Sequence, residues 1–465
     1  MLDSVLVLGH GLVAKEDLPI PEWLFAWGAS VVLIVSFVAL TLAWHRSRFE
    51  DESWRAGPGV LSRLLVNPVT GALAGAIGVL LLAVTIWSGL EGTEAPDRNF
   101  SVTFVFVTFW LGFVVASVLF GDVFRAFNPW RAVARAAAGV FKLVARQPPP
   151  TPVPYPERFG RWPAVVGVVG FLWLELVYGV SFQSVGLTPS TTAIATLAYT
   201  AYTFVGMALF GSERWLERGE AFSVYFGMFA RMSPVEVRDG RLGFRRPLSG
   251  LIRWAAVPGS VALVLVTIGG TAFDGASEGL LQEPIFSTFE WLEDLGLAPV
   301  TAFRAASTIF LLITVAAIAG LFWAGVYGMH TVYVRLGTVD LGRLFAHAFV
   351  PIALAYLVAH YFTLAVFQEQ AQFTFLLSDP LGDGSDYFGT ASSGIDFGAI
   401  GAEAVWYVQV GALVAGHVTA LVLGHDRALA VYGDSRTASR SQYWMLALMV
   451  GFTSLGLYLL SQANQ

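Results

Sequence analysis

The sequence predicts an all-α fold, a polytopic bundle of about ten membrane-spanning helices forming a single integral membrane domain over residues 1–465. Three observations predict it. The chain is 56% hydrophobic and only 13% charged, with a mean hydropathy of +0.66, outside the range of ordinary soluble domains. Apolar stretches of roughly 20 residues, the length that crosses the hydrocarbon of a bilayer, recur along it. The basic residues fall in alternate connections between those stretches, as membrane orientation requires.

The first 20 residues carry Asp3 where a basic start would be needed and break their apolar run at His10, so no cleaved signal is expected there. Spans are predicted at Pro21–Trp44, Pro68–Leu90, Thr103–Phe120, Pro163–Phe182 and Thr191–Phe210. Asn67 is placed to cap the second, with Pro68 at its first position. The later spans are Leu251–Phe273, interrupted by Pro258-Gly259, then Ala305–Gly328, Leu344–Phe367, Ala399–Gly424 and Gln442–Ser461. Pro351 is expected to kink the eighth.

Four connections stand out. Residues 121–162 are basic. Within them PWRAVARAAAGVFKLVAR puts Arg131, Arg135, Lys142 and Arg146 on one helical face, an amphipathic helix lying on the membrane surface over residues 129–146, with anionic lipid as its partner. Proline-rich QPPPTPVPYP follows as a stiff linker. Residues 211–254 are also basic, and their VEVRDGRLGF reads as a small β-hairpin turning at Asp239-Gly240. Residues 274–299 are acidic without Lys or Arg, and residues 368–398 form an acidic, glycine-rich outer loop.

Orientation follows from counting. The loops after spans 1, 3, 5, 7 and 9 hold 24 of the 27 Lys and Arg residues, leaving only Lys15, Arg98 and Arg304 on the other side. The positive-inside rule makes the first set cytoplasmic and puts both termini outside. The outer face then carries 19 of 33 carboxylates, which attracts cations or simply keeps the surface solvated. Five plus five spans allow an inverted repeat, although span 1 has no break to match the one in span 6.

With no cysteine, disulfides, zinc–thiolate sites, iron–sulfur ligation and thiol nucleophiles are excluded. No Gly-x-Ser-x-Gly elbow, His-Glu-x-x-His zinc motif or nucleotide-binding P-loop occurs, and no nucleic-acid partner is expected. What remains is ionisable residues inside spans, where their cost makes each a candidate site. Glu175 lies near the middle of span 4. Tyr356 and His360 share a face of span 8, and Glu403 and His417 share one of span 9, so His360 and Glu403 are a candidate pair. These five would line a hydrated path, or else bond neighbouring helices. His330, His347, His417 and His425 gather toward the cytoplasmic side, where neutral imidazoles would suit a divalent transition metal, or else bond backbone carbonyls. Asp379, Asp383 and Asp386 form a candidate outer cation loop whose spacing departs from the twelve-residue calcium loop.

Three stretches carry a resemblance: HGLVAKEDLPIPEWLFAWGA at His10–Ala29, FNPWRAV at Phe127–Val133 and FAHAFVPIALAYLVAHYF at Phe345–Phe362. They resemble a family of large actinobacterial membrane proteins labelled fenitrothion hydrolase. That resemblance implies organophosphate-ester hydrolysis, a reaction that elsewhere uses a metal-activated water. It assigns no catalytic residue in this chain, and only the histidine set would supply ligands. Three readings therefore stand: a permease for a small solute or cation, a membrane-embedded metal-dependent hydrolase, and a haem- or partner-binding subunit of a membrane complex. The plasma membrane is the expected location, as a homo-oligomer or within a complex.

Overall fold

The computed structural model describes residues 22–146, 151–180 and 187–463. The amino-terminal segment 1–21 with His10 and Lys15, the start of the proline-rich linker at 147–150, and the predicted end of span 4 lie outside the described residues. The fold is an all-helical bundle with one small sheet. In chain order the elements used below are α1 (Glu22–Ala43), α2 (Pro68–Glu91), α3 (Phe100–Phe120), α4 (Pro129–Ala145), α5 (Glu157–Tyr178), α6 (Pro189–Phe210) and α7 (Ala221–Ala230). They continue with α8 (Ser260–Ser277), α9 (Pro299–Val332), α10 (Thr338–Ser378), α11 (Ala402–Tyr432) and α12 (Ser435–Ala463).

Among the described residues eight helices are long and apolar enough to cross a membrane: α2, α3, α5, α6, α8, α9, α10 and α11. The outer helices α1 and α12 pack on one another and on α11. Spatially the bundle does not divide five and five. Helices α2, α3 and α6 form one group, α1 joins the carboxy-terminal helices, α5 packs on α7, α8 and α9, and α10 packs on α3.

Local chemistry sets the ends. The Asn67 side chain accepts from the amides of Val69 and Thr70, so α2 begins where the sequence predicts, with Pro68 in its first turn. Asn128 caps α4 by accepting from Arg131 N at 2.8 Å. Two predicted kinks are not kinks. Gly259, at φ +85°, and Pro258 precede α8, so the break lies outside the helix. Pro351 is the second residue of the α-helical part of α10, where its missing N–H costs nothing, and the irregularity is a 3₁₀ turn at Ala346–Phe349 just before it.

Close helix contacts use small residues, as membrane interfaces do. A Cβ at Gly416 on α11 would lie 2.3 Å from Ala355 Cβ and 2.8 Å from the Pro351 carbonyl of α10.

The connection at 211–254 holds an element its charge conceals. Helix α7 buries Phe222, Tyr225, Phe226 and Phe229. Its N-cap is Glu220, fully buried, which accepts from Phe222 N at 2.9 Å, Ser223 N at 2.7 Å and the Tyr199 hydroxyl. Phe109, Phe124, Phe222 and Phe226 meet edge to face at 4.7–5.5 Å between ring centroids, apart from the stacked Phe222–Phe226 pair at 5.9 Å. Edge-to-face pairs are worth about 0.5–1.5 kcal/mol beyond burial, and these fasten α7 against α3.

The predicted hairpin is present as β2 (Val235–Arg238) and β3 (Arg241–Phe244), and β1 (Arg55–Ala56) extends it in the antiparallel order β1-β3-β2. Asp239 and Gly240 both have positive φ, 48° and 73°, as a two-residue hairpin turn requires. Next to the sheet, Arg245 donates to the carbonyls of Ser233 and Ala230 and pairs with Glu236 at 3.0 Å. Burial pulls its guanidinium down to about 10, still charged at neutral pH.

Candidate functional site: a buried carboxylate–imidazole–phenol cluster

Because α8 starts at Ser260, Asp274 falls inside it, 14 residues and roughly 21 Å of helix from that end. The sequence reading ended this span at Phe273 and assigned Asp274 to the outer loop. Thr267, Thr271 and Asp274 follow helical spacing along one face of the helix.

Asp274 is 7% exposed, and one oxygen takes two donors. His360 Nε2 donates to Oδ2 at 2.9 Å and the Tyr361 hydroxyl donates to the same atom at 2.6 Å. The Tyr361 ring stands edge-on to Trp110 at 5.2 Å, and Trp110 Nε1 donates to the Tyr225 hydroxyl at 3.0 Å. Glu175 enters from α5, where a π turn at Leu174–Tyr178 displaces it from a regular helical position. It lies near enough to Asp274 to feel its charge, and its Oε2 is shielded with no hydrogen-bond partner among the described residues. Helices α3, α5, α7, α8 and α10 thus each place a polar group in one layer of the core.

A void of about 20 Å³ lies beside His360, Thr271 and Tyr356, room for one water by volume. A tighter void of about 10 Å³ touches Trp110, Tyr225 and Thr267.

Of the residues singled out from sequence, Glu175 and His360 belong to this cluster. The pairing of His360 with Glu403 is not made. Its carboxylate partner is Asp274, and Glu403 is exposed in the first turn of α11. Tyr356 gives its hydroxyl to the Phe452 carbonyl at 2.8 Å, binding α10 to α12. His417 is fully buried 6.2 Å from the Tyr356 ring, with Nδ1 donating to Leu413 O at 2.8 Å and Nε2 without a partner among the described residues.

The proposed metal ligands do not gather. His330 Nδ1 donates to Leu336 O at 2.9 Å and His425 Nε2 donates to Trp44 O at 3.1 Å, while His347 is buried with no partner at Nε2 among the described residues. With His417 on Leu413, three of the four imidazoles donate to backbone carbonyls. Among the described residues no group of three or more His, Asp and Glu could hold a metal ion.

The outer carboxylates are likewise engaged by their own loop. Asp379 accepts from the amides of Asp383 at 3.1 Å and Gly384 at 2.9 Å. Asp383 accepts from Ser385, and Asp386 from the Ser378 hydroxyl and Ala391 N. The Ser385 hydroxyl holds the Asp383 carboxyl below its ordinary value, and the Ser378 hydroxyl does the same for Asp386. A depressed carboxyl stabilises the loop above its unfolded pKa and loses that contribution as pH falls through the folded value. Amide protection at Ser385 and Ala391, corrected for intrinsic exchange, is therefore expected to hold from neutral pH down to about pH 5. It should fall below about pH 4, the ordinary Asp range. Unchanged protection in acid would show that these carboxylates do not hold the loop.

One further acid escaped the sequence reading. Asp426, fully buried in α11, accepts from Trp44 Nε1 at 2.9 Å, Ser47 Oγ at 2.9 Å, Arg48 N at 2.6 Å and Phe49 N at 3.1 Å. It anchors the segment that leaves α1.

Fold and site together define a multi-pass integral membrane protein with an ionisable cluster inside its helical bundle. No protein family, curated protein or solved structure matches the chain.

Proposed function

We propose that the protein is a permease that moves a small solute or cation across the membrane, with Asp274, His360, Tyr361 and Glu175 carrying protons or the transported charge. The observation that supports it most is the sharing of one Asp274 oxygen by an imidazole and a phenol, with a second carboxyl close by, inside membrane-spanning helices. An ionisable group at that depth is a functional-site hypothesis by default, marking ion pathways and proton relays. A hydrolase of the kind the resemblance implies needs a metal-activated water, and among the described residues no group of three or more His, Asp and Glu could hold a metal ion. We also infer that α4 rests on the cytoplasmic leaflet against anionic lipid, as its exposed apolar residues Val140, Leu143 and Val144 and its exposed Lys142 and Arg146 suit it to do.

The test is reconstitution into liposomes with a pH-sensitive dye inside and candidate cations or small solutes supplied outside. The wild type is expected to move protons with substrate, and Glu175→Gln, which keeps shape but carries no titrating proton, to abolish the flux. Full flux in that variant removes Glu175 from the pathway. No flux of any kind by the wild type counts against transport.

A further inference from the structure

A second concavity lies away from the polar cluster. Helices α2, α3, α5 and α6 enclose a groove of about 520 Å³, floored by Pro129 and Trp130 at the start of α4. This is the size range of a ligand site. Its walls include Leu82, Phe104, Phe109, Gly170, Trp173 and Thr196. The polar atoms along it are turned away. Thr85 and Thr196 donate to carbonyls of their own helices, Trp130 Nε1 to Thr200, Trp173 Nε1 to Thr308, and the Tyr199 hydroxyl to Glu220. With every one of those donors satisfied inside the protein, the groove offers water nothing and hydrocarbon a fitted surface.

We propose that this groove holds one acyl chain of an anionic membrane lipid whose headgroup is drawn by the cations of α4. The charge at the floor selects that occupant. Helix α4 contains no acidic residue, and Arg125, Arg131 and Arg135 share the carboxylate of Glu213 at 2.8–3.4 Å; even with Asp122, which accepts from Arg125 N, the cluster stays net positive. Lys142 and Arg146 continue the exposed basic face. Cations at the cytoplasmic leaflet attract anionic headgroups. The proposal rests on the reading that α4 lies on that leaflet and adds a defined seat for the lipid chain.

The full chain, purified in detergent, is titrated with dioleoyl phosphatidylglycerol or dioleoyl phosphatidylcholine and observed by native mass spectrometry. The wild type is expected to retain one lipid, with the phosphatidylglycerol adduct favoured about tenfold. Gly170→Trp tests the groove, because a Cβ at Gly170 meets no atom within 4 Å and the indole enters open space. That variant should lose the retained lipid while melting like the wild type. Ala195→Phe, on the facing wall, serves if Gly170→Trp does not fold. The variant Arg135→Gln with Lys142→Gln and Arg146→Gln should keep a lipid but lose the preference for phosphatidylglycerol. A lipid retained by folded groove-filled variants overturns the proposal. If the charge variant alone then loses it, lipid binds only on the surface of α4, and the leaflet reading survives without the groove. A charge variant that keeps the preference overturns the role given to the cations.

Discussion

Asp274→Asn is expected to lower proton-coupled flux at least tenfold, on the order of 1.4 kcal/mol in the rate-limiting barrier, and to leave the bundle assembled. The amide can still accept from Tyr361, so the packing of α8 on α10 persists. It cannot hold a charge or pass a proton, and the His360 contact loses its ionic partner. Hydrogen bonds to a charged group are worth about 1.5–3 kcal/mol against about 1 for neutral ones, so stability should fall only modestly. Tyr361→Phe removes one of the two donors and keeps the carboxylate, and a smaller loss is expected. The measurement is dye-reported flux in liposomes at matched protein density, with melting in detergent as the control for folding. Wild-type flux in Asp274→Asn would confine the cluster to holding helices together.

The second large effect concerns architecture. Asp426→Ala is expected to release the segment 44–49 from α11. Four donors converge on that carboxylate, two from side chains and two from the backbone. Without it they are left unsatisfied beside a buried void, at a cost on the order of 3 kcal/mol. Arg46 and Arg48 lie in the same segment and offer trypsin its cleavage points. Limited proteolysis should cut there much faster in the variant than in the wild type. Asp426→Asn, which keeps one acceptor oxygen and turns an NH₂ toward donors, should fall near the alanine variant. Equal cleavage in all three proteins would mean that other contacts, such as His425 on Trp44 O, hold the segment.

The helical bundle was legible because the hydrocarbon core imposes a length on apolar runs, and the hairpin because Asp239-Gly240 admits few other backbones. The site was half legible. Glu175 and His360 announce themselves as ionisable residues within apolar stretches. Asp274 did not, because hydropathy places a helix end at the first acid it meets, whereas α8 runs three residues beyond Asp274, to Ser277. Assigning Glu403 to His360 followed from neighbouring spans in sequence, but α10 touches α8 as well as α11, and the closer acid came from the earlier helix. The histidine set misled for a related reason. Depth along a helix is readable from sequence, but the direction each ring faces is not, and three of the four found a carbonyl near at hand. Helix α7 escaped notice because ten apolar residues between basic flanks resemble an interfacial stretch.

That last helix bears on how the protein is made. At about 15 Å it is half the thickness of the hydrocarbon, too short to be inserted as a span of its own. Its seat lies between α3 and α5, both synthesised earlier. The ribosome therefore releases those two before the segment that packs on both of them exists. Helix α7 must therefore dock on helices already made, and in doing so it buries Glu220 at its tip against its own first amides.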